Sequence, residues 1–430
     1  MEIKEQSGLR AVLENTPIPR MALVRQKFAD DGIEDVAAVL RRKLDDEKLK
    51  ARIRPGMRVA MTGSSRQINN MALILKELAA FVRSLGGEPF IIPAMGSHGG
   101  ATAEGQRGIL EGFGITEEYC GCPILSSMET VRVGSLPNGD EVRVDKYAHE
   151  ADAVIVVGRI KAHTAFRGPY ESGLVKMMAI GMGKREGADS LHREGFGKMG
   201  ERLPQYGRVV FDSCNVIFGV APIENEFDRT CRLEVIPAEE IFEREPALLE
   251  YAKSRLPRIL LPETDVLMVH EIGKNFSGSG MDPNVTGTFG TPFATGGIRK
   301  QRTVVFDLSE QTHGSFVGLG MADVTTKKCF EKLDTNATYF NMITSTVLQV
   351  GKIPMVMEDD RLALQVALRT LTQVDRDRIR VVYLKNTLSL DTIMVSEALL
   401  DEVRARDDME ILEEPRELRF DEAGELLDFA

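Results

Sequence analysis

Along the first half of this chain an apolar run, a glycine-bearing turn and an amphipathic helix pattern follow one another repeatedly, an order that implies a largely parallel α/β sheet. MRVAM at 57–61 runs into TGSSR, and NNMALILKELAAFVRSLGG follows with Met71, Leu75, Leu78, Val82 and Leu85 at helical spacing. Gly86 and Gly87 end that helix. FIIPAM at 90–95 then leads into GSHGG, with Thr102 as the N-cap of a helix over AEGQRGILEGFGI. AVIVVG at 153–158 leads into RIKAH. Sheets of this kind hold ligands at the carboxyl ends of their strands. Arg66, His98 and His163 each stand just past such an end.

At 430 residues the chain exceeds the size at which one core keeps growing. Two α/β domains with a cleft between them are expected, the first built on a Rossmann-like sheet. In KSRLPRILLPE, at 253–263, Pro257 and Pro262 flank a short apolar segment, and the strand pattern restarts with VLMV at 266–269. Domains of 1–256 and 263–430 follow, the second smaller. Its strands are expected in RTVVFDL, PMVMEDD and RIRVVYL, and its helices in DRLALQVALRTL and TIMVSEALLDEVRAR. The acidic end, EEPRELRFDEAGELLDFA, reads as a docked or solvated tail.

A formal net charge of −11 withholds the excess of Lys and Arg that a nucleic-acid partner draws on. MEIKEQSGLRAVLENTPIPRM lacks a basic start followed by an apolar core, and no apolar run approaches the roughly 18 residues of a spanning helix. A cytoplasmic protein with neither a nucleic-acid nor a membrane partner is expected. Of the five cysteines only Cys120 and Cys122 are close, and no CxxC pair occurs, so buried small side chains are expected rather than a disulfide or zinc framework.

Three stretches carry chemistry. In TGSSR, Arg66 with Ser65 beside it suits an anionic group, which guanidinium grips in a bidentate fork. GSHGG, opening at Gly96, offers backbone N–H groups to a phosphate just before a helix, although it matches neither GxGxxG nor a P-loop. KAHTAFRGPYESGLVKMMAIGMGKREGADSLH places His163 and His192 either side of Lys176 in a chain that has only six histidines. A lysine held among Leu174, Val175, Met177 and Met178 can lose its proton and act as a nucleophile; the alternative is a stem packed on apolar neighbours with its amine in water. HEIGKNFSGSGMDPNVTGT, at 270–288, is a glycine-rich irregular loop in which Lys274 is a candidate second anion contact. His270 and His313 carry no assignment.

Taken in order, TGSSR, GSHGG, KAHTAFRGPYESGLVK and SLH resemble the signature of the nickel-pincer nucleotide-dependent lactate racemase family. The resemblance implies a pyridinium-3,5-bisthiocarboxylic acid mononucleotide that binds nickel through two sulfurs and a ring carbon. It implies covalent attachment at Lys176, nickel ligation by His192, cofactor contacts from Arg66, Ser65 and Gly96, and alternating general bases at His98 and His163. It further implies a 2-hydroxy acid substrate held by Arg66, a 2-keto acid intermediate, and cofactor-biosynthesis enzymes as partners. Gly63 stands where the lactate enzymes carry an aspartate, and the chain lacks the tryptophan of their substrate pocket. The stretch from His163 to Lys176 is longer than theirs, and the 270–288 loop differs. A racemase or epimerase of a different, larger 2-hydroxy acid is the expectation. A nucleotide-linked 2-hydroxyacid dehydrogenase and a non-catalytic cofactor-binding relative are the alternatives.

Overall fold

The computed structural model describes residues 6–429. They form two compact units, one of Asp30–Leu256 and one that joins the described residues of Met1–Ala29 to Pro257–Ala430. Strands are numbered in chain order, and β1 (Met21–Gln26) belongs to the second unit.

In the Asp30–Leu256 unit, β2 (Arg58–Gly63), β3 (Glu88–Pro93), β6 (Ala153–Val157), β7 (Val216–Glu224) and β8 (Thr230–Pro237) form one sheet in the order β3-β2-β6-β7-β8. All neighbours are parallel except the β7–β8 pair. A hairpin of β4 (Thr130–Ser135) and β5 (Glu141–Asp145) stands apart. The strands are apolar on both faces because both are covered. Ala60, Ile92, Val154 and Val156 pack with Leu174, Val175, Met178 and Tyr206. Val59, Met61, Ile91 and Ile155 pack with Ile74, Leu75 and Leu78 of the helix Met71–Ser84. Gly86 follows that helix at φ +80°, and Thr102 Oγ1 accepts the Gly105 N–H at 3.0 Å to cap the helix Ala103–Gly112.

The second unit carries β9 (Val266–Ile272), β10 (Arg302–Leu308), β11 (Val324–Thr326), β12 (Met355–Met357), β13 (Val381–Leu384), β14 (Thr392–Ser396) and β15 (Met409–Arg416). With β1 they make an eight-stranded sheet in the order β12-β11-β10-β9-β13-β14-β1-β15. Strands β9 to β13 run parallel, and β14, β1 and β15 are added antiparallel. This arrangement revises three expectations. The first residues of the chain go with the second unit, because β1 inserts between β14 and β15. TIMVS is a strand rather than the start of a helix: its β-branched and apolar residues pair with β13 and β1, and helix resumes only at Leu400–Arg404. The acidic end begins inside an edge strand.

All five cysteines are free thiols. Burial pushes Cys120 up to about 11 and Cys122 up to about 12, which makes them packing groups rather than nucleophiles. No helix among the described residues is long and apolar enough to cross a membrane.

Candidate functional site

Three adjacent parallel strands end side by side in the Asp30–Leu256 unit, and the turns after them carry Ser65 and Arg66 from β2, Gly96 and His98 from β3, and Arg159 and His163 from β6. Thr62 Oγ1 ties two of these ends together, donating to the Val157 carbonyl at 3.0 Å and accepting the Val157 N–H at 2.8 Å. Ser65 Oγ meets His98 Nδ1 at 2.5 Å, so the first two turns touch through this pair.

The GSHGG turn needs its glycines for different reasons. Gly96 has φ +59°, and its N–H donates to the Gly181 carbonyl at 3.2 Å, which joins this turn to the segment after Lys176. At Gly99, with φ +67°, a Cβ would meet the Gln106 backbone nitrogen at 2.7 Å, so only glycine lets the turn approach the next helix. Gln106 Nε2 donates to the Gly96 carbonyl at 2.8 Å and to the His98 carbonyl at 3.2 Å. Its Oε1 accepts from the fully buried Lys184 ammonium at 3.1 Å, and Lys184 pairs with the equally buried Asp145 at 2.9 Å. Burial lowers the Lys184 pKa and raises that of Asp145 despite their attraction. Such a pair fixes geometry more than it adds stability.

His163 sits in a loop whose ends are closed by Lys161 and Ser172, each donating its N–H to the other's carbonyl. The fully buried Glu171 carboxylate organises that loop, accepting the His163 N–H at 2.7 Å and pairing with Lys253 at 3.0 Å. Arg167 donates to the His163 carbonyl at 2.5 Å. The imidazole lies 4.5 Å from the Phe166 ring and 6.0 Å from that of Phe196, and Phe196 stands 5.6 Å from His192. Ala165 N–H donates to His163 Nδ1 at 3.1 Å, which leaves the neutral ring's proton on Nε2. The ring keeps some accessible surface, yet protein crowding dominates its titration. That burial, and then the charges of Lys176, His192, Arg167 and Arg66, hold His163 well below the usual histidine range, so it is neutral at pH 7.

Lys176 closes the short helix Leu174–Lys176, and a π-helical turn, Met177–Gly181, follows at once. Such turns recur at functional sites. Burial first, then the Arg66 charge, lowers the Lys176 amine to about 8, with Glu171 opposing. The helix Lys184–His192 then ends on His192, whose Nδ1 lies 2.7 Å from the Ala188 carbonyl. A carbonyl only accepts, so Nδ1 carries the proton and Nε2 is left with a free lone pair, the form a metal ligand takes. Burial lowers the His192 pKa as well. Arg66 keeps accessible surface although protein atoms crowd it, and that crowding and the Arg159 charge lower its pKa. Arg159 is itself paired with Glu224.

Glu245 supports Lys176 from below. Its buried carboxyl accepts the Val175 N–H at 3.0 Å, and a Cβ on Gly173 would overlap it. Desolvation raises Glu245 to about 7 from 4.5. Between those pH values the folded chain holds a proton that the unfolded chain has lost, so this group's contribution to stability falls as pH rises through about 7. Glu245→Gln is expected to remove that loss, narrowing the fall in stability between pH 5 and 8 by on the order of 3 kcal/mol in urea titrations.

Of the residues singled out from sequence, electrostatic coupling joins Arg66, His163, Lys176 and His192, and Ser65, Gly96 and His98 adjoin them through the contacts above. Lys274 belongs to the other unit, in the loop after β9, where its N–H donates to Thr312 Oγ1 at 3.1 Å. His270 Nδ1 meets the Tyr383 hydroxyl at 2.8 Å. Reasoning from sequence missed Arg159, Glu171, Phe196 and Glu245. Arg159 follows an apolar strand as Arg66 does and was open to the same inference. The others show themselves only through long-range packing.

Among the described residues no group of three or more His, Cys, Asp or Glu side chains is placed to hold a metal ion. A metal at His192 would take its remaining donors from elsewhere.

Comparison with curated proteins finds no match. Among solved structures, a Thermotoga maritima protein from a structural genomics programme is similar at 14% identity and a TM-score of 0.51, covering 85% of this chain and 98% of that one. At that identity the likeness speaks for the fold alone. The lactate racemase apoprotein of Thermoanaerobacterium thermosaccharolyticum is matched at 12% identity and a TM-score of 0.41, over 66% of this chain and 74% of that one. The stretch matched by a protein family is the one that holds Arg66, His98, His163, Lys176 and His192: residues 14–202 match the family described as the lactate racemase N-terminal domain.

Proposed function

We propose that this protein is a racemase or epimerase of a 2-hydroxy acid that works with a covalently held nickel-pincer nucleotide. The observation that carries the proposal is the pairing of two prepared groups in one site: a Lys176 amine lowered to about 8 and a His192 ring with Nδ1 committed to Ala188. The first suits covalent attachment to a thioacid, and the second would offer a neutral nitrogen to the nickel that the cofactor would carry. When bound, that cofactor supplies a site that takes up hydride from the substrate carbon and returns it.

The chain's own part is to bind, orient and move protons. Arg66 grips the substrate carboxylate or a cofactor anion, with Arg159 adding positive charge nearby. His98, its Nδ1 against Ser65, takes the hydroxyl proton through Nε2, and His163 serves the opposite face. Proton uptake at His163 Nε2 requires the neutral ring to carry its hydrogen on Nδ1, at the cost of the Ala165 hydrogen bond, worth about 1 kcal/mol. Phe166 and Phe196 flank the imidazole and narrow its access to water.

Nickel content provides the test. Protein exposed to the mature cofactor is expected to retain about one nickel per chain, and His192→Ala to bind it about 10- to 100-fold more weakly while keeping the covalent nucleotide. Equal nickel retention by His192→Ala would remove this histidine from the metal.

A further inference from the structure

A cavity lies in the Pro257–Ala430 part of the other unit. It measures about 490 Å³ and is lined by Thr288, Arg299, Lys300, Asp323 and the backbone of Gly287 and Gly320, among others. It stands at the amino ends of β10 and β11: Thr303 is the second residue of β10, and Asp323 directly precedes β11. The carboxyl ends of those strands, where ligands of parallel sheets usually bind, face away from it.

Close backbone approaches build its walls. Gly287 has φ +73°, and a Cβ there would overlap the Ile298 carbonyl oxygen; at Gly320 it would overlap that of Gln349. These contacts hold both glycine segments in place and leave the space unfilled by side chains. Gly287 and Thr288 close the glycine-rich stretch that follows β9, directly after its short helix Pro283–Thr286.

One cation is anchored in this space. Lys300 Nζ donates to the Thr286 carbonyl and, at 2.5 Å, to Thr288 Oγ1, which leaves the third ammonium hydrogen without an acceptor among the described residues. The hydroxyl of the fully buried Thr286 also has no partner among them. Asp323 is held beside the cavity because its Oδ2 accepts the Thr303 N–H at 2.7 Å, so its remaining lone pairs can receive hydroxyl groups. Arg299 adds a second positive charge, with one guanidinium nitrogen on Glu263 at 2.8 Å.

We propose that this cavity binds a small hydroxylated anion, a sugar acid or a sugar phosphate, with its acidic group on Lys300 and its hydroxyls on Asp323. Burial lowers the Lys300 amine to about 8, and a bound anion would raise it again. Binding therefore takes up protons near pH 8, and affinity falls as pH rises through that value.

Calorimetric titration of the full chain with D-gluconate and with D-glucose 6-phosphate tests this, with acetate and inorganic phosphate as anions that lack the hydroxyls. One sugar anion is expected to bind more tightly than its simple counterpart, and the better arm tells carboxylate from phosphate. Lys300→Met is expected to weaken it by about tenfold or more. Asp323→Ala should abolish the preference for hydroxylated ligands. The proposal is overturned if neither sugar anion binds below about 20 mM, or if Lys300→Met binds like wild type. Should Lys300→Met fail to fold, wild-type titrations at pH 8 in buffers of different ionisation enthalpy decide: proton uptake supports the site, and its absence overturns it.

Discussion

Replacing His163 by alanine will lower kcat for interconversion of the enantiomers by about 10²- to 10⁴-fold, the range a positioned general base supplies. The expectation rests on where the ring sits and what surrounds it. Its backbone is held on both sides, by Glu171 on its N–H and Arg167 on its carbonyl, so the imidazole cannot drift from the site. Burial, the charges of Lys176, Arg167 and Arg66, and coupling to His192 hold it neutral, the form that can take a proton. Those causes also set the pH dependence. A base titrating well below 6.5 stays competent as pH falls through the usual histidine range, so the acid limb of kcat/KM is expected below pH 6.5. Glu171→Gln keeps the loop's acceptor while halving its hydrogen-bonding symmetry and removing the Lys253 ion pair; it should reduce kcat less than His163→Ala does. A His163→Ala enzyme with wild-type kcat would remove this histidine from proton transfer.

Lys176→Ala, in protein exposed to the mature cofactor, will show no covalent mass gain, whereas wild type gains one nucleotide per chain. The effect is all or none because the substitution deletes the only atom proposed to form the bond. An amine titrating at about 8 is roughly one-tenth unprotonated at pH 7, far more than an ordinary lysine. The rate of adduct formation should therefore rise about tenfold per pH unit below 8 and level off above it. Arg66→Ala removes the neighbouring charge that helps lower this amine, so it should shift the plateau to higher pH. Intact mass over time reads all three results. A full adduct on Lys176→Ala would place the attachment elsewhere.

Much of this site was legible in the letters because parallel sheets impose a rule that sequence patterns reveal: a short apolar run that stops abruptly marks a strand end, and strand ends carry chemistry. TGSSR, GSHGG and the turn after AVIVVG obeyed it, and β2, β3 and β6 are neighbours in the sheet. Glu245 was illegible because its helix looks ordinarily acidic, and only the chain's return path buries its carboxyl against the Val175 N–H. The π-helical turn after Lys176 leaves no compositional trace beyond one glycine, Gly181. TIMVS was misread because its apolar residues run on into an amphipathic pattern, and strand pairing with β1, some 370 residues earlier, overrode local propensity. The same long-range pairing took the start of the chain out of the first unit.

The central claim is hydride exchange at the carbon that bears the hydroxyl, without net oxidation. The most direct measurement follows enantiopure 2-hydroxy acids labelled with deuterium at C2, lactate and longer homologues, incubated in ordinary water with cofactor-loaded protein. The account predicts that either enantiomer of the true substrate reaches the same mixture, that deuterium stays on C2, and that no external oxidant is consumed. Loss of deuterium to solvent, or a keto acid accumulating in step with a consumed oxidant, would contradict it.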